Sequence, residues 1–575
     1  MDANKEDLSL SLYTYLCQVV GSEEVVRTRR RLFNAMDNVC RTSIFTTFIS
    51  GSKGEGLDLP GSDCDYMQSF NEYPVYENIE DISNHIRNRP TIPLLMDTND
   101  TKPGYTLLKL YNKINPYLIE ISYKIGNQIF VSSKLFRERV LMHDCHNNLS
   151  IQHGPCMSDQ SIDSDMVSSF YCEKWILQAD EWIHRSRSSW PPNRLTERIM
   201  KFGVLFVPVG CKNSPRENLE FRISFNMAEK LLVHSFSHTQ LLCYALLKTI
   251  LSHFIKPQYG DLLSSYCLKT IMFWVSEESM ESIWKPQNLL RCYDLCFKRL
   301  VYCVRCNTCL HYFIPELDLF EGRFSKPEHD SLTSTLESLY KSGWQCILQT
   351  SLFNSYNFFN DLSPERIVQS VSSLPSLFIT TVYTTRVLSV TLLRLIRIVH
   401  GSSSLSGKEM YAIILSQTIL KAAQRLTINE TYSGTNKQRY RNYRNCLNHL
   451  LQGIHHDAES GWLLLASLFY KCKQYQQCLH ALNYCLHQCR QDKKILVSPD
   501  IDTKCQHQFN IEMEQHVKNG FQRTCKLRVV EPVQFVRHSC IIPDEFSAFC
   551  ENEWVVLPPV EFALYLRCIC LQRLN

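Results

Sequence analysis

The sequence carries little net charge for its length and has no long apolar run without charged residues. Its 575 residues have a formal charge of +4, well short of the strongly basic stripe that marks a dedicated nucleic-acid binder. The most apolar long window, residues 377–400, contains Arg386, Arg394 and Arg397, which predicts a buried helix and not a membrane span. Any nucleic-acid surface is therefore local, and no membrane partner is expected.

The first residues do not predict a secretory signal. The chain begins MDANKEDLSLSLYTYL, with acidic residues early and no charged segment leading into an apolar one. The 26 cysteines are spread over a long chain, which argues against a secreted disulfide scaffold. We expect a soluble protein of the reducing cytoplasm.

The N-terminal part of the sequence predicts both helices and strands, and the C-terminal part predicts helices. Residues 10–40 have apolar positions at helical spacing, which predicts one long amphipathic helix. Residues 143–164 are typical of a loop. Runs rich in β-branched and aromatic residues predict strands of a mixed sheet: TSIFTTFISGS, PGYTLLKLY, LIEISYK, NQIFVSSKLF and DMVSSFYC. From AEKLLVHSFSHTQLLCYALLKTILSHFI onward, helical periodicity dominates almost to the end, so the predicted fold class is α+β in front with an all-α extension behind.

Residues 50–67, SGSKGEGLDLPGSDCDYM, combine a Gly-Ser turn with two aspartates that flank a single residue. Asp63 and Asp65, as alternate residues of a strand, would point the same way. Converging carboxylates are the usual ligands of Mg²⁺ or Mn²⁺, and a Gly-Ser turn can approach phosphate oxygens closely. The combination is typical of phosphoryl or nucleotidyl transfer, although acidic pairs in loops are often only solvated turn residues.

A third carboxylate is expected from a neighbouring strand, because two ligands seldom suffice for two metal ions. The local candidate is SIDSDMVSSF, where Asp163 and Asp165 again alternate. One sequence does not determine strand register, so both aspartates stay open at this point.

A longer series of motifs resembles the Mab-21 superfamily, which contains cyclic GMP-AMP synthase (cGAS) and the cGAS-like receptors. The motifs follow one another across residues 45–330: GSKGEGLDLPGSDCDYM, DMVSSF, SSWPP, LFVPVG, EFRISFNMAEKLLV, SSYCLKTIMFWV and HYFIPELDLF. The resemblance implies a bilobed nucleotidyltransferase, with a spine helix and mixed sheet followed by a helical HhH/H2TH-like lobe. The expected domains are residues 1–230 (nucleotidyltransferase core), 231–330 (helical lobe) and 331–575 (helical C-terminal region).

The resemblance also implies site residues. Ser52 would contact phosphate, and Asp63, Asp65 and Asp165 would be the catalytic metal ligands, with Asp163 as the alternative third acid. The remaining implied nucleotide contacts are Arg222 and Ser224 of EFRISF, Lys248 of LLKTIL, and Ser265 and Tyr266 of SSYCLKT. A tyrosine ring can stack on a base, although lysines on helices are mostly solvated and tyrosines in apolar stretches mostly belong to the core.

The sequence predicts no counterpart of the zinc-binding insertion of the DNA-sensing vertebrate enzyme, since AEKLLVHSFSHTQLLCYALLK contains His234, His238 and Cys243 but no close cysteine pair. Long double-stranded DNA is therefore doubtful as activator. Double-stranded RNA is the expected candidate, because it can be recognised through phosphates and shape. The predicted contacts are Arg27, Arg29, Arg30 and Arg31, which could equally be solvated or paired with Glu23 and Glu24.

Two further clusters stand outside this scheme. Cys303, Cys306, Cys309 and His311 have spacing compatible with zinc, but chance clusters are expected in a cysteine-rich chain. Residues 460–486 place Trp462, Leu465, Ala466, Tyr470, Tyr475 and Ala481 much as a tetratricopeptide helix pair would. A single helix pair is too short to form a solenoid. We therefore expect this region to bind a protein partner or a second copy of the chain.

Together these observations predict a cGAS-like nucleotidyltransferase of innate immunity that joins ATP and/or GTP into a cyclic dinucleotide. The alternative is a non-catalytic Mab-21 protein that serves as a nucleotide-binding module or scaffold. The retained acids favour catalysis, since a scaffold has no need to hold like charges close together.

Overall fold

The computed structural model describes most of the chain, with gaps. The described residues are 2–39, 44–57, 59, 64–86, 91–111, 115–144, 151–159, 164–187, 189–350, 352, 396, 405–425, 436–454, 456–489, 495–496, 526, 529–547, 550 and 555–574. They form two compact units, one of residues 1–30 with 41–359 and one of residues 31–40 with 360–575. The predicted domain boundaries at 230 and 330 stay a prediction.

The helices begin and end as follows. The α-helices up to residue 341 are α1 (Asp2–Val19), α2 (Glu23–Val39), α3 (Gly51–Gly54), α4 (Ile79–Ile86), α5 (Pro116–Glu120), α6 (Ser133–Asp144), α7 (Asp180–His184), α8 (Asn193–Met200), α9 (Asn226–His234), α10 (His238–Ile250), α11 (Lys256–Tyr259), α12 (Ser265–Glu278), α13 (Leu289–Arg305) and α14 (Lys326–Lys341). Those beyond it are α15 (Leu405–Ala423), α16 (Asn436–Gly453), α17 (Ser460–Lys471), α18 (Tyr475–Cys489), α19 (Asp544–Ser547) and α20 (Pro559–Leu574). A π-helical turn, Leu251–Ile255, follows α10, and 3₁₀ turns lie at Leu177–Ala179, Gly260–Leu262, Glu281–Ile283, Pro286–Asn288 and Gly343–Gln349.

The strands complete the α+β architecture. They are β1 (Phe45–Ser50), β2 (Cys64–Tyr76), β3 (Leu94–Asp97), β4 (Tyr105–Leu110), β5 (Ser122–Ile125), β6 (Gln128–Val131), β7 (Ile151–His153), β8 (Cys156–Asp159), β9 (Ser164–Cys172), β10 (Val204–Val207), β11 (Phe221–Ser224), β12 (Ile495–Leu496), β13 (Val529–Val530), β14 (Val533–Phe535) and β15 (Val555–Leu557).

The large sheet consists of β1 to β11 and closes on itself. Strand β2 pairs with β3 at one end and with β9 along most of its length, and β3 connects back to β9 through β4, β11 and β10. An irregularity in register between Ser69 and Pro74 lets β2 bend between its two partners. One sheet face carries an apolar cluster of Phe48, Met67, Val167, Leu205 and Val207. This closed sheet fixes the relative positions of β1, β2, β9 and β11, which carry predicted site residues.

The predicted single helix over residues 10–40 is wrong, because the chain breaks between α1 and α2. Gly21 has a φ of +118°, which is outside the helical region and favours glycine. Ser22 then caps the second helix, since its hydroxyl accepts a hydrogen bond from the amide of Val25 at 3.4 Å. The glycine-serine pair therefore outweighs the continuous apolar periodicity.

Two local predictions in the sheet region also need correction. The segment predicted as a loop, residues 143–164, contains the hairpin of β7 and β8, which extends the sheet beside β9. The run LIEISYK is only half strand, because α5 precedes β5. Asn115 caps α5 through its side chain and Pro116 occupies the first helical turn, so local capping overrides the β-branched composition.

The helical part of the first unit is built around α10. Twelve of its thirteen residues are buried, and its first turn is closed by a capping box between Ser237 and Gln240. The segment AEKLLVHSFSHTQLLCYALLK forms α9 and α10, separated by residues 235–237. This agrees with the prediction that the segment passes into helix.

The second unit is mainly helical, but the predicted all-α character is wrong. Strands β12 and β13 pair in parallel, and β14 and β15 pair antiparallel. Valine and phenylalanine dominate β13 to β15, a composition that suits strands. Helices α17 and α18 pack against each other, with the rings of Trp462 and Tyr484 4.7 Å apart; their tetratricopeptide character stays a prediction.

No helix in the described part of the chain is both long and apolar enough to cross a bilayer. The apolar window at residues 377–400 lies outside the described residues, apart from Ile396.

Candidate active site

Two of the predicted acids are direct neighbours in the sheet. Asp65 is the register partner of Asp165 in the parallel pair of β2 and β9. Residues opposite each other in adjacent strands share a face, and the strands lie about 4.8 Å apart. The two carboxylates therefore start from adjacent backbone positions and project to one side, as ligands of one cation would.

The Gly-Ser turn lies against these acids. Ser50, at the end of β1, is the register partner of Asp65, and Gly51 follows with a φ of +61°. A Cβ atom at Gly51 would lie 1.6 Å from Oδ2 of Asp65. The Asp65 carboxylate thus occupies the space that any other side chain at position 51 would need, which explains the glycine.

Asp165 has a hydrogen-bonding partner on its other side. The hydroxyl of Ser158, its register partner in β8, donates to Oδ1 of Asp165 at 2.5 Å. The sequence offered no sign of this contact, since Ser158 lies in the segment predicted as a loop. The bond orients the carboxylate as outer-shell partners of metal ligands do.

Ser52 meets the helical part of the unit directly. The Nζ of Lys248, on α10, donates to the Ser52 hydroxyl, so two predicted phosphate and nucleotide contacts lie side by side. The backbone of the same turn is held by donors from two helices. Nε2 of His234 lies 2.9 Å from the Gly54 carbonyl oxygen, and Nε of Arg30 lies 2.8 Å from that of Glu55.

Arg222 and Ser224 lie on the same sheet face as the acids. Ser224 pairs with Leu205, which pairs with Tyr171. Tyr171 is six residues beyond Asp165 on β9, on the same face, which corresponds to about 20 Å along the strand. Arg222 is exposed and Ser224 half-buried. These residues are therefore placed for a more distant part of a ligand than the acids.

Tyr266 belongs to a hydrogen-bonded chain at the start of α12. His311 Nδ1 accepts backbone N–H bonds from Phe313 and Ile314, so the ring proton lies on Nε2 and is donated to the Tyr266 hydroxyl at 2.7 Å. Tyr266 in turn donates to Oε1 of Glu229 at 3.1 Å. Burial and the Glu229 charge raise the pKa of Tyr266, while burial, followed by the charge of Arg222, lowers the pKa of His311 to about 3.

The Tyr266 hydroxyl and the His311 imidazole therefore stay neutral at physiological pH. One face of the Tyr266 ring stacks on His311, with centroids 5.9 Å apart. Ser265, the neighbouring residue, is exposed at the first turn of α12.

A buried ion cluster that the sequence reading missed links the turn to α12. Lys269 Nζ lies 2.6 Å from Oε1 of Glu55 and 3.1 Å from Oε2 of Glu229. Burial disfavours the ammonium, but the two carboxylates outweigh it and raise the pKa of Lys269. The sequence signal for this cluster was a charged residue in each of three motifs, which are GSKGEG, NMAEKLL and SSYCLKT.

The residues present suit a divalent cation, although part of the predicted ligand set is outside the described residues. Asp63 and Asp163 both fall there. Within the described ranges, no three His, Cys, Asp or Glu side chains gather into a metal-binding group. Asp65 and Asp165 supply two hard oxygen donors on one face, which is the donor type that Mg²⁺ and Mn²⁺ prefer.

The arginine run is not the exposed face that was predicted. Arg29 is 1% exposed and donates to the Val20 carbonyl oxygen at 2.8 Å. Arg30 also donates to the carbonyls of Val233 and His234. Arg27 and Arg31 are exposed, and Arg27 pairs with Glu23 at 2.5 Å. Hydrogen bonds to nearby carbonyl groups therefore hold Arg29 in the core and keep Arg30 half-buried.

The cysteine cluster offers no zinc ligand through His311. Both ring nitrogens of His311 are engaged with Tyr266 and backbone amides. Cys303 and Cys309 are buried, whereas Cys306 is exposed. The thiols of Cys303 and Cys309 contact each other, a packing expected of buried free thiols.

A family model described as the Mab-21 protein HhH/H2TH-like domain matches residues 240–338. The match includes Lys248, Ser265, Tyr266 and Lys269, and runs from α10 into α14. It confirms the predicted resemblance to the Mab-21 family, whose proteins are nucleotidyltransferase-like, whereas the closer likeness to cGAS-like receptors stays a prediction. The chain therefore contains a Mab-21 HhH/H2TH-like domain at residues 240–338.

Proposed function

We propose that this protein is a cGAS-like nucleotidyltransferase that uses Mg²⁺ or Mn²⁺ to join ATP and/or GTP into a cyclic dinucleotide, as a second messenger in innate immunity. The observation that carries the proposal is the register pairing of Asp65 with Asp165 beside the glycine turn at position 51. Two carboxylates held close on one face repel each other, and a bound cation relieves that repulsion.

Asp65 and Asp165, with Asp63, would hold the metal ion. When bound, the cation supplies Lewis-acid stabilisation of the charge on the phosphates and lowers the pKa of the attacking hydroxyl. The Ser52 hydroxyl and the Lys248 ammonium, already in contact, would bind phosphate oxygens. Arg222, Ser224, Ser265 and Tyr266 would contact the base and ribose, so that the ribose hydroxyl attacks the α-phosphate and pyrophosphate leaves.

Double-stranded RNA is the activator that we propose, with a reduced set of contacts. Because Arg29 and Arg30 are committed to backbone carbonyls, Arg27 and Arg31 remain as candidates. Binding should weaken as salt rises, and Arg27→Glu with Arg31→Glu should lower RNA affinity in a folded protein. Unchanged affinity would remove these arginines and favour another ligand, or a protein partner on the C-terminal helices.

The second candidate is a non-catalytic protein that binds nucleotide or serves as a scaffold. The exposed position of Arg222 and the half-buried position of Tyr266 suit ligand binding without requiring turnover. The cytoplasmic location that we propose fits either function.

The deciding experiment is incubation of the purified protein with Mg²⁺ or Mn²⁺, radiolabelled ATP and GTP, and a panel of nucleic acids. We expect a phosphatase-resistant dinucleotide that disappears in Asp63→Asn with Asp65→Asn. Product that persists in the double variant would contradict the metal assignment. Absence of product with every nucleic acid, together with retained nucleotide binding, would favour the scaffold.

A further inference from the structure

The turn of residues 51–57 is held by several independent groups, and one of them is a side chain of the turn itself. Lys248 contacts Ser52, His234 contacts the Gly54 carbonyl, and Arg30 contacts the Glu55 carbonyl. The Glu55 side chain points instead to Lys269 on α12, at 2.6 Å. Glu55 is thus the side chain through which the turn contacts the helix that carries Tyr266.

The contact continues to the predicted base-binding tyrosine. Lys269 is shared with Glu229 at 3.1 Å, and Glu229 accepts the Tyr266 hydroxyl at 3.1 Å. Glu55, Lys269 and Glu229 have side chains that are 3%, 12% and 6% exposed. Burial makes each ionic contact directional and costly to break.

We propose that Glu55 is a positioning residue that sets the distance between the phosphate-binding turn and Tyr266 through Lys269 and Glu229. This inference rests on the proposed function of the site. At the proposed site, a nucleoside triphosphate would contact both the turn and Tyr266, whereas inorganic tripolyphosphate would contact only the turn and the acids. Glu55 therefore matters for ligands that span the two ends.

The test is calorimetric titration of the full chain with Mn²⁺·ATP and with Mn²⁺·tripolyphosphate. In Glu55→Gln, the turn stays attached through Lys248, His234 and Arg30, but its contact with α12 loses its charge. We expect affinity for Mn²⁺·ATP to fall about tenfold or more, with less than about threefold change for tripolyphosphate. Glu55→Asp keeps the charge with a shorter reach and should give an intermediate loss for ATP.

The matched control is Glu277→Gln. Glu277 is a buried carboxylate on α12, 6% exposed and paired with Arg185 and Arg187 at 3.3 Å instead of with Lys269. Its loss should lower stability without changing the ratio of the two affinities. This separates a positioning role from general destabilisation of α12.

The outcomes are distinct. Equal loss of both ligands in Glu55→Gln, or no loss of either, would overturn the positioning role while leaving the nucleotide site intact. If Glu55→Gln does not fold, the same comparison in Glu55→Asp decides. A wild-type protein that binds tripolyphosphate but not ATP would contradict the proposed nucleotide site, and the positioning role with it.

Discussion

Gly51 is the residue whose identity the site geometry restricts most tightly. Gly51→Ala would place a Cβ atom 1.6 Å from Asp65 Oδ2 at a φ of +61°, so the carboxylate must move. We expect nucleotide-dependent activity to fall by about a hundredfold or more, measured as initial rate against metal concentration. Gly126→Ala is the control, because its φ is +60° and nothing lies within 4 Å of the added atom. Similar losses in both variants would show that backbone strain alone is responsible.

Ser158 is the second residue whose role can be measured. Ser158→Ala removes the 2.5 Å hydrogen bond to Asp165 but leaves the carboxylate in place. Loss of such an outer-shell partner typically weakens metal affinity by about tenfold to a hundredfold, which a Mn²⁺ titration of the rate would detect. Ser169→Ala, on the strand that carries Asp165, removes a buried hydrogen bond to the Gln68 carbonyl instead and should leave the metal dependence unchanged. A metal dependence of Ser158→Ala equal to that of the wild type would contradict the assigned role.

At the scale of single elements, helix α2 divides its arginines between core and surface. Arg30→Met would remove the guanidinium that donates to the carbonyls of Glu55, Val233 and His234, at a cost of about 3 kcal/mol in unfolding free energy. Arg27→Met removes an exposed pair with Glu23 and should cost less than about 0.5 kcal/mol. Urea unfolding of the two variants makes the comparison. Equal costs would mean that the hydrogen bonds of Arg30 do not stabilise the fold.

In the second unit, a histidine between carboxylates should make stability depend on pH. His456 Nε2 lies 3.4 Å from Glu531 and 3.6 Å from Asp457, and Nδ1 donates to the Gly453 carbonyl. Burial opposes the charged form, but Asp457 and Glu531 prevail and raise the pKa of His456 from 6.5 to about 9. Ser460 and Gln417 are the neutral groups of this network.

Because the folded pKa is the higher one, this stabilisation is complete below about pH 6.5 and is lost as pH rises through 9. The difference in unfolding free energy between wild type and His456→Gln should shrink by about 3 kcal/mol between pH 6 and pH 10. Lys421 also faces Glu531, and burial lowers the pKa of Lys421 to about 7. Because Lys421 is present in both proteins, its contribution largely cancels in the difference in unfolding free energy. His480→Gln, at an exposed position of α18, is the control. A pH-independent difference would contradict the ionised state of His456.

At the scale of the whole molecule, the arrangement of the site could be predicted only in part. The motifs placed Asp65 and Asp165 on strands and Lys248 on a helix, because residue period and composition are local signals. The direct pairing of Asp65 with Asp165 could not be predicted, since alternation specifies a face and not a partner. Glu55, Lys269 and Glu229 were missed because their burial depends on contacts between distant segments.

The errors in predicting the secondary structure have the same origin. The break at Gly21, the hairpin of β7 and β8 and the short strands after residue 495 depend on a few residues that local periodicity averages out. The arginine run shows the limit most clearly, because identical neighbouring residues have opposite environments. Charge along a sequence predicts an exposed surface only where no nearby carbonyl groups compete for it.

The most direct test of the central claim, that Asp65 and Asp165 form one cation-dependent nucleotide site, is the affinity for Mn²⁺·ATP in Asp165→Asn. We predict a loss of about tenfold or more relative to the wild type by calorimetry. The control is Asp97→Asn on β3, which removes a partly buried pair with Lys109 at 3.3 Å and should bind like the wild type. Wild-type affinity in a folded Asp165→Asn protein would contradict the account.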